Sequence, residues 1–212
     1  MRFAKLDPGF EAAFAMAWEA YVDGTVPIGA AILDAESRVV ATGRNRIRSA
    51  VCPPPQIAGH KIEHAEINAI LQVQEESHPD IRNFTLYTTM EPCPLCFGAI
   101  VMDNIRHVAY AARDRIAGAT LLADAIRFVR DKRIRFEGPY PVMEGVQIVW
   151  HTLFSLQRSG AERLLDAWAV DCPEGVLLGR NPDTAEGLAA MVRRGASAEE
   201  AFDWTAERLS AQ

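Results

Sequence analysis

Apolar residues at positions 10, 14, 17, 18 and 21 recur at helical spacing through "GFEAAFAMAWEAYVDG" and give that segment one hydrophobic face. Asp7-Pro8 precedes it and Gly24 closes it: an acceptor for exposed N–H groups, a residue suited to the first helical position, and a stop. The period then changes. "VPIGAAIL" and "RVVATGRN" are two β-rich runs flanking the polar "DAES", which predicts a hairpin. Three consecutive prolines confine residues 49–60, "SAVCPPPQIAGH", to a loop, because proline removes donors and fixes φ. Helical spacing returns from 63 to about 76 through Ile67, Ile70 and Leu71. "FTLYTTM" at 84–90 is a strand by β-propensity, and "PLCFGAIVMD" from Pro94 is a short buried helix. "RHVAYAA", the helical "ATLLADAIRFVRD" and the strand-like "VQIVWHT" continue the alternation.

Strands alternating with helices predict a sheet covered by helices, an α/β layered domain. Beyond about residue 155 the pattern is helical only. Ser197 and Glu200 form a capping-box pair ahead of a helix over 198–210. "CPEGVLLGRNPD" at 172–183 reads as a linker before two short terminal helices. The expected organisation is one domain over 1–155 and a helical C-terminal extension over 156–212, with no internal repeat.

Composition adds limits. With 49% hydrophobic and 24% charged residues in 212, the chain can bury a sizeable core. Its net charge is −6, and neither half is basic overall, which disfavours general nucleic-acid binding. No uninterrupted apolar run reaches 18 residues, and "MRFAKLDPGFEAAF" lacks a leader pattern. The expectation is a cytoplasmic protein with no membrane partner. Of four cysteines at 52, 93, 96 and 172, two form C-x-x-C, which in that compartment favours metal or redox chemistry over a structural disulfide.

Cys93 and Cys96 can reach one ion from a loop and the first turn of a helix, whose N-terminus favours the thiolates. His64, at the head of "HAEINAI", supplies a third ligand. Two sulfurs and one nitrogen leave tetrahedral Zn²⁺ with an open position, the mark of a catalytic site. Glu66 is the candidate proton carrier. Residues two apart in a regular helix face nearly opposite ways, so His64 and Glu66 share a target only if His64 sits at the very start and the ion lies off the helix end. The rival arrangement is a closed structural site with His60 as fourth ligand; it would leave Glu66 unemployed.

His-x-Glu paired with Pro-Cys-x-x-Cys is the known signature of zinc nucleobase deaminases. Through "HAE" at 64–66 and "PCPLC" at 92–96, the chain resembles the cytidine deaminase-like superfamily. "VPIGAAIL", "GRN" at 43–45 and "TLYTTMEPCPLCFGAIVMDNIRHVAYAARD" extend the likeness over about residues 10–120. They are most similar to the branch of guanine deaminase, cytosine deaminase and tRNA adenosine deaminase. The resemblance implies a three-layer α/β/α sandwich with a mixed sheet of about five strands, and one Zn²⁺ per chain on His64, Cys93 and Cys96. It implies Glu66 as proton shuttle, and Asn45 and the backbone N–H of Ala65 as substrate contacts. The implied reaction is hydrolysis of a C–N bond in a cyclic amidine with release of ammonia. Guanine leads the small nucleobase or nucleoside substrates, tRNA adenosine is the alternative, and a noncatalytic zinc-held binding module is the third reading. A homodimer or higher homo-oligomer is expected.

Other chemistry-bearing residues read more plainly. Cys52 and Cys172 are ordinary thiols, His78 a loop residue, and His107 and His151 strand positions. Trp168, Phe202 and Trp204 are packing residues. The basic cluster Arg127, Arg130, Lys132, Arg133 and Arg135 is a solvated face on a helix ending near 131.

Overall fold

The computed structural model describes residues 1–74, 76–158 and 160–211. Helix α1 (Pro8–Val22) starts as its sequence predicts: Asp7 caps it by accepting from the Gly9 N–H at 2.9 Å. Strands β1 (Gly29–Leu33) and β2 (Val39–Arg44) form the antiparallel hairpin. β3 (Thr85–Met90) pairs antiparallel with β1 and parallel with β4 (His107–Ala112), and β4 pairs parallel with β5 (Arg135–Glu137). The five strands run in the order β2-β1-β3-β4-β5.

Alternation along the strands sends side chains to two cores. Ile32, Leu86 and Val108 pack with Ala65 and Ala69 of α2 (Ala65–Ile70) and Ile100 of α3 (Pro94–Met102). On the opposite face, Ala109 and Ala111 lie in a cluster with Phe10, Phe14 and Trp18 of α1 and Val146, Val149, Trp150 and Leu153 of α5 (Pro141–Leu156). The result is the expected three-layer mixed-sheet fold.

The C-terminal helices are α6 (Glu162–Asp171), α7 (Pro173–Arg180), α8 (Pro182–Arg193) and α9 (Ala198–Ser210). Ser197 and Glu200 form the predicted reciprocal capping box. α9 seals α1: Phe202 lies edge-on to Phe14 with centroids 4.9 Å apart, and the Trp150 indole donates to the Thr205 hydroxyl at 3.1 Å. The Trp18 indole donates to the Ala196 carbonyl at 2.8 Å.

Four expectations are corrected. "VQIVWHT" is helix α5, not a strand, so His151 is a helical residue; the fifth strand is the three-residue β5. Pro141 opens α5, and Val146, Val149, Trp150 and Leu153 recur at helical spacing inside the core. Near-continuous burial made the segment look strand-like. Residues 172–183 are not a linker: Pro173 begins α7 and Asn181 caps α8. Gly175 and Gly179 serve contact, since a Cβ there would lie 3.0 Å from Ile148 Cβ and 2.6 Å from Thr152 Cβ. Helix α2 is shorter than expected and ends at Ile70, where Gln72 turns back to donate to the carbonyls of Thr42 and Asn68, both at 2.6 Å. The segment "ATLLADAIRFVRD" breaks into a 3₁₀ turn (Thr120–Asp124) and the four-residue α4 (Arg127–Arg130).

Candidate metal centre and active site

Residues 61–64 lead into α2 in non-helical conformation, and His64 is its N-cap with φ −76° and ψ 159°. Cys93 occupies the corresponding place before α3, with φ −72° and ψ 171° and Pro94 following. Both helices point their unsatisfied N-terminal N–H groups at one spot beside the end of β3. His64 therefore lies off the helix end, and Glu66 occupies the first turn. That is the arrangement the two-residue spacing requires.

The donor atoms form a small triangle. His64 Nδ1 is 3.4 Å from each sulfur, and the sulfurs are 3.7 Å apart. The edges of a tetrahedron around zinc would be about 3.6 Å for N–S and about 3.8 Å for S–S, given usual Zn–N and Zn–S bonds. The donor set fits the ion in both type and spacing. The Nδ1 edge of the His64 ring faces both sulfurs. Among the described residues, His64, Cys93 and Cys96 alone make a group of three or more such ligands. His60 is exposed and absent from it, so the closed four-ligand alternative has no support.

Proton affinities in the cluster are strongly coupled. The Cys96 hydrogen bond and then His64 pull the Cys93 thiol down to about 4, against the effect of burial. The same Cys93–Cys96 hydrogen bond, burial and the nearby Glu66 push the Cys96 thiol up. His64 is raised, first by its hydrogen bond to Cys93. Glu66 is 4% exposed; burial and then the Cys93 charge raise its pKa, while His64 opposes them. Its Oε2 accepts from the Cys96 thiol at 3.3 Å, and the Thr88 hydroxyl lies 3.3 Å from Oε1. The shift makes the carboxyl readier to hold a proton, the direction that a proton carrier needs.

Asn45 follows β2 and is 2% exposed. Its Oδ1 accepts from the Thr25 hydroxyl at 2.7 Å and the Ile47 N–H at 3.2 Å. The backbone donor fixes the amide orientation, leaving Nδ2 as a donor with no acceptor among the described residues. Ala65 is fully buried at the first position of α2, where its N–H has no intrahelical partner. Sequence reading passed over Thr25 and Thr88, which orient Asn45 and Glu66, because isolated threonines carry no spacing signal.

The remaining candidates sit apart from this group. Cys52 donates to the Gln56 carbonyl at 3.0 Å, and Cys172 is buried. Trp168 and Phe202 are core residues, and Trp204 is half-buried. Arg127, Arg130, Arg133 and Arg135 are exposed around α4 and β5, with Arg127 paired to Asp131. None of the described helices is long and apolar enough to cross a membrane.

The chain is similar to several known proteins. A segment is 36% identical over 118 residues to a tRNA(Ile)-lysidine synthase of Deinococcus radiodurans, covering 53% of this chain and 19% of that protein. Another match, to tRNA-specific adenosine deaminase 2 of Xenopus tropicalis, is 33% identical over 113 residues, covering 50% of this chain and 61% of the relative. The chain thus spans less than two thirds of these curated relatives. A solved structure from work on tRNA:A34 deaminases aligns at 31% identity over 61% of this chain and 92% of its own, with a TM-score of 0.45. The family described as the cytidine and deoxycytidylate deaminase zinc-binding region matches residues 5–112, just over half of the chain. This chain, with its His-Cys-Cys cluster for one metal ion, belongs to that family.

Proposed function

We propose that the chain is a zinc-dependent hydrolytic deaminase of an amino-substituted nucleobase, with His64, Cys93 and Cys96 as metal ligands. The observation that carries this reading is a three-ligand triangle beside a buried carboxyl whose oxygen lies 3.3 Å from one ligand sulfur. Zinc held there supplies Lewis acidity and makes water a nucleophile near neutral pH. Glu66 accepts the proton that this water gives up and delivers it to a ring nitrogen of the base. It then carries a proton to the amino nitrogen as the C–N bond breaks. A C–O bond replaces the C–N bond, and ammonia leaves. Asn45 Nδ2 and the Ala65 N–H donate to acceptors on the ring and hold its plane against the cluster. Burial of Asn45, Ala65 and Glu66 keeps bulk water away and strengthens these contacts.

In this reading residues 1–155 form the deaminase domain and 156–212 a helical extension, and the protein works as a homo-oligomer. The flank "EPCPLCFGAI" favours guanine. An adenosine within tRNA is the second reading, supported by the similarity to a tRNA-specific adenosine deaminase. Ammonia release from guanine, cytosine, adenine, their nucleosides and a tRNA stem-loop tests the proposal. Glu66→Gln is expected to retain one zinc and lose about 10²–10⁴-fold in kcat. A metal-loaded variant with full turnover would remove Glu66 from the chemistry.

A further inference from the structure

The chain holds 28 acidic residues against 22 Lys and Arg, yet the stretch around Asn45 is rich in arginine. Arginines occupy positions 44, 46 and 48 in "GRNRIR", flanking Asn45. Arg44 is neutralised by Asp23 at 2.9 Å and Glu19 at 3.9 Å. Among the described residues, Arg46, Arg48, Lys61 and Arg158 form no ion pair. Glu63, the acid nearest in sequence to the ligand histidine, is 2% exposed and therefore not presented at the rim.

Their placement follows from the backbone. The Arg46 N–H donates to the Glu63 carbonyl at 3.0 Å, which sets Arg46 beside the segment entering His64. The Asn45 N–H donates to the Ile28 carbonyl at 3.0 Å, and one residue earlier Pro27 accepts from Gln147 of α5 at 2.8 Å. That bond pins α5 to the sheet end that carries Asn45. Two turns later, Phe154 meets the loop after Asn45: the Arg48 and Arg158 guanidinium carbons lie 5.9 and 3.7 Å from its ring centroid. Phe154 is 4% exposed, a fixed plate against which both cations rest.

Asp23 and Glu19 offset part of the charge on Arg44 and Arg46, whereas Arg48 and Arg158 share the Phe154 ring with no acid paired to either. Burial and the Arg48 charge pull the Arg158 pKa down, and burial and the Arg44 charge do the same to Arg46. An anion at the rim relieves this repulsion, and guanidinium forks suit the oxygens of a phosphate.

We propose that Arg48 and Arg158, with Arg46 and Lys61 beside them, form an anion subsite at the mouth of the deaminase site, so that the substrate carries a phosphate. This rests on the deaminase reading above and deepens it. Within that reading the subsite selects a nucleotide, free or linked through phosphodiesters, over the free guanine that the flank alone favours.

The test is calorimetric titration of the full-length Glu66→Gln protein, which binds without turnover. The probes are adenosine, cytidine and guanosine, their 5′-monophosphates, inorganic phosphate and a short RNA stem-loop, each at low and high salt. Monophosphates are expected to bind at least about tenfold more tightly than their nucleosides. The advantage is expected to shrink as salt rises and to fall toward one in the Arg48→Ala/Arg158→Ala variant, whose fold is checked by circular dichroism. Arg158→Lys should keep part of it. A gain seen only with the stem-loop, and lost in the same variant, assigns the site to a polynucleotide backbone. Equal binding of nucleosides and phosphates, or an advantage that survives the double variant, overturns the subsite. Ammonia release from nucleosides without a phosphate preference sinks the subsite alone. Phosphate preference without ammonia from any probe sinks the deaminase reading instead.

Discussion

Gly43 is where the sheet holds α2 in place. It lies buried in β2 opposite Ala30, and a Cβ added there would fall 2.2 Å from the Ala65 carbonyl oxygen and 2.4 Å from the Ala69 nitrogen. Both neighbours are helix backbone, so no side chain can swing aside. Ordinary contact begins near 3.4 Å, so Gly43→Ala must displace the start of α2 by about 1.2 Å. Glu66 and His64 move with it. Metal–ligand distances tolerate only about 0.2 Å, and misplacing a catalytic group by about 1 Å costs on the order of 10²-fold in rate. Overpacking adds about 1–3 kcal/mol of destabilisation. Zinc content by elemental analysis, kcat/KM from ammonia release and thermal unfolding would each report the change. Gly98→Ala on α3 is the control, because nothing lies within 4 Å of its added Cβ; replacing a helical glycine should raise stability by about 0.5–1 kcal/mol. A Gly43→Ala protein with one zinc, unchanged kcat/KM and an unchanged melting temperature would refute the reasoning.

His151 gives a pH signature. Burial and then Arg158 push its pKa down to about 3, so the folded chain refuses a proton that the unfolded chain accepts below about 6.5. Its contribution is complete above that value and is lost as pH falls toward 3, at up to about 1.4 kcal/mol per unit. Urea unfolding at pH 7 and pH 5 should therefore show a loss up to about 2 kcal/mol larger in the wild type than in His151→Leu; equal losses would remove His151 from the balance. Asp7→Ala removes the α1 cap and should cost about 1 kcal/mol, or about 2–4 °C in melting temperature. Stripping metal with a chelator should lower the melting temperature and zinc should restore it; a chelator-insensitive protein would argue against an ion on the His64 triangle.

How much was legible depended on whether the signal was local. Asp7-Pro8, the hairpin around "DAES", and Ser197 with Glu200 are rules satisfied within a few residues, and each appears in the structure. The triangle of His64, Cys93 and Cys96 was legible because ligand type and spacing are constrained by the ion itself. α5 was misread because a helix buried on several sides loses the polar stripe that marks its period. α7 was misread because Gly175 and Gly179 signal a turn in isolation, whereas here they admit Ile148 and Thr152 of a neighbouring helix. The Arg48–Phe154–Arg158 stack joins residues more than 100 positions apart, a relation that no window of sequence contains.

The layer outside α1 has a temporal consequence. Phe14 and Trp18 are covered by Phe202 and by the turn at Ala196, roughly 180 residues further along the chain. During synthesis the hairpin, the ligand loops and α3 all leave the ribosome while that aromatic surface is still bare. A nascent polypeptide halted before residue 196 would contain His64, Cys93 and Cys96 and still display an adhesive flank, an invitation to chaperones or to self-association.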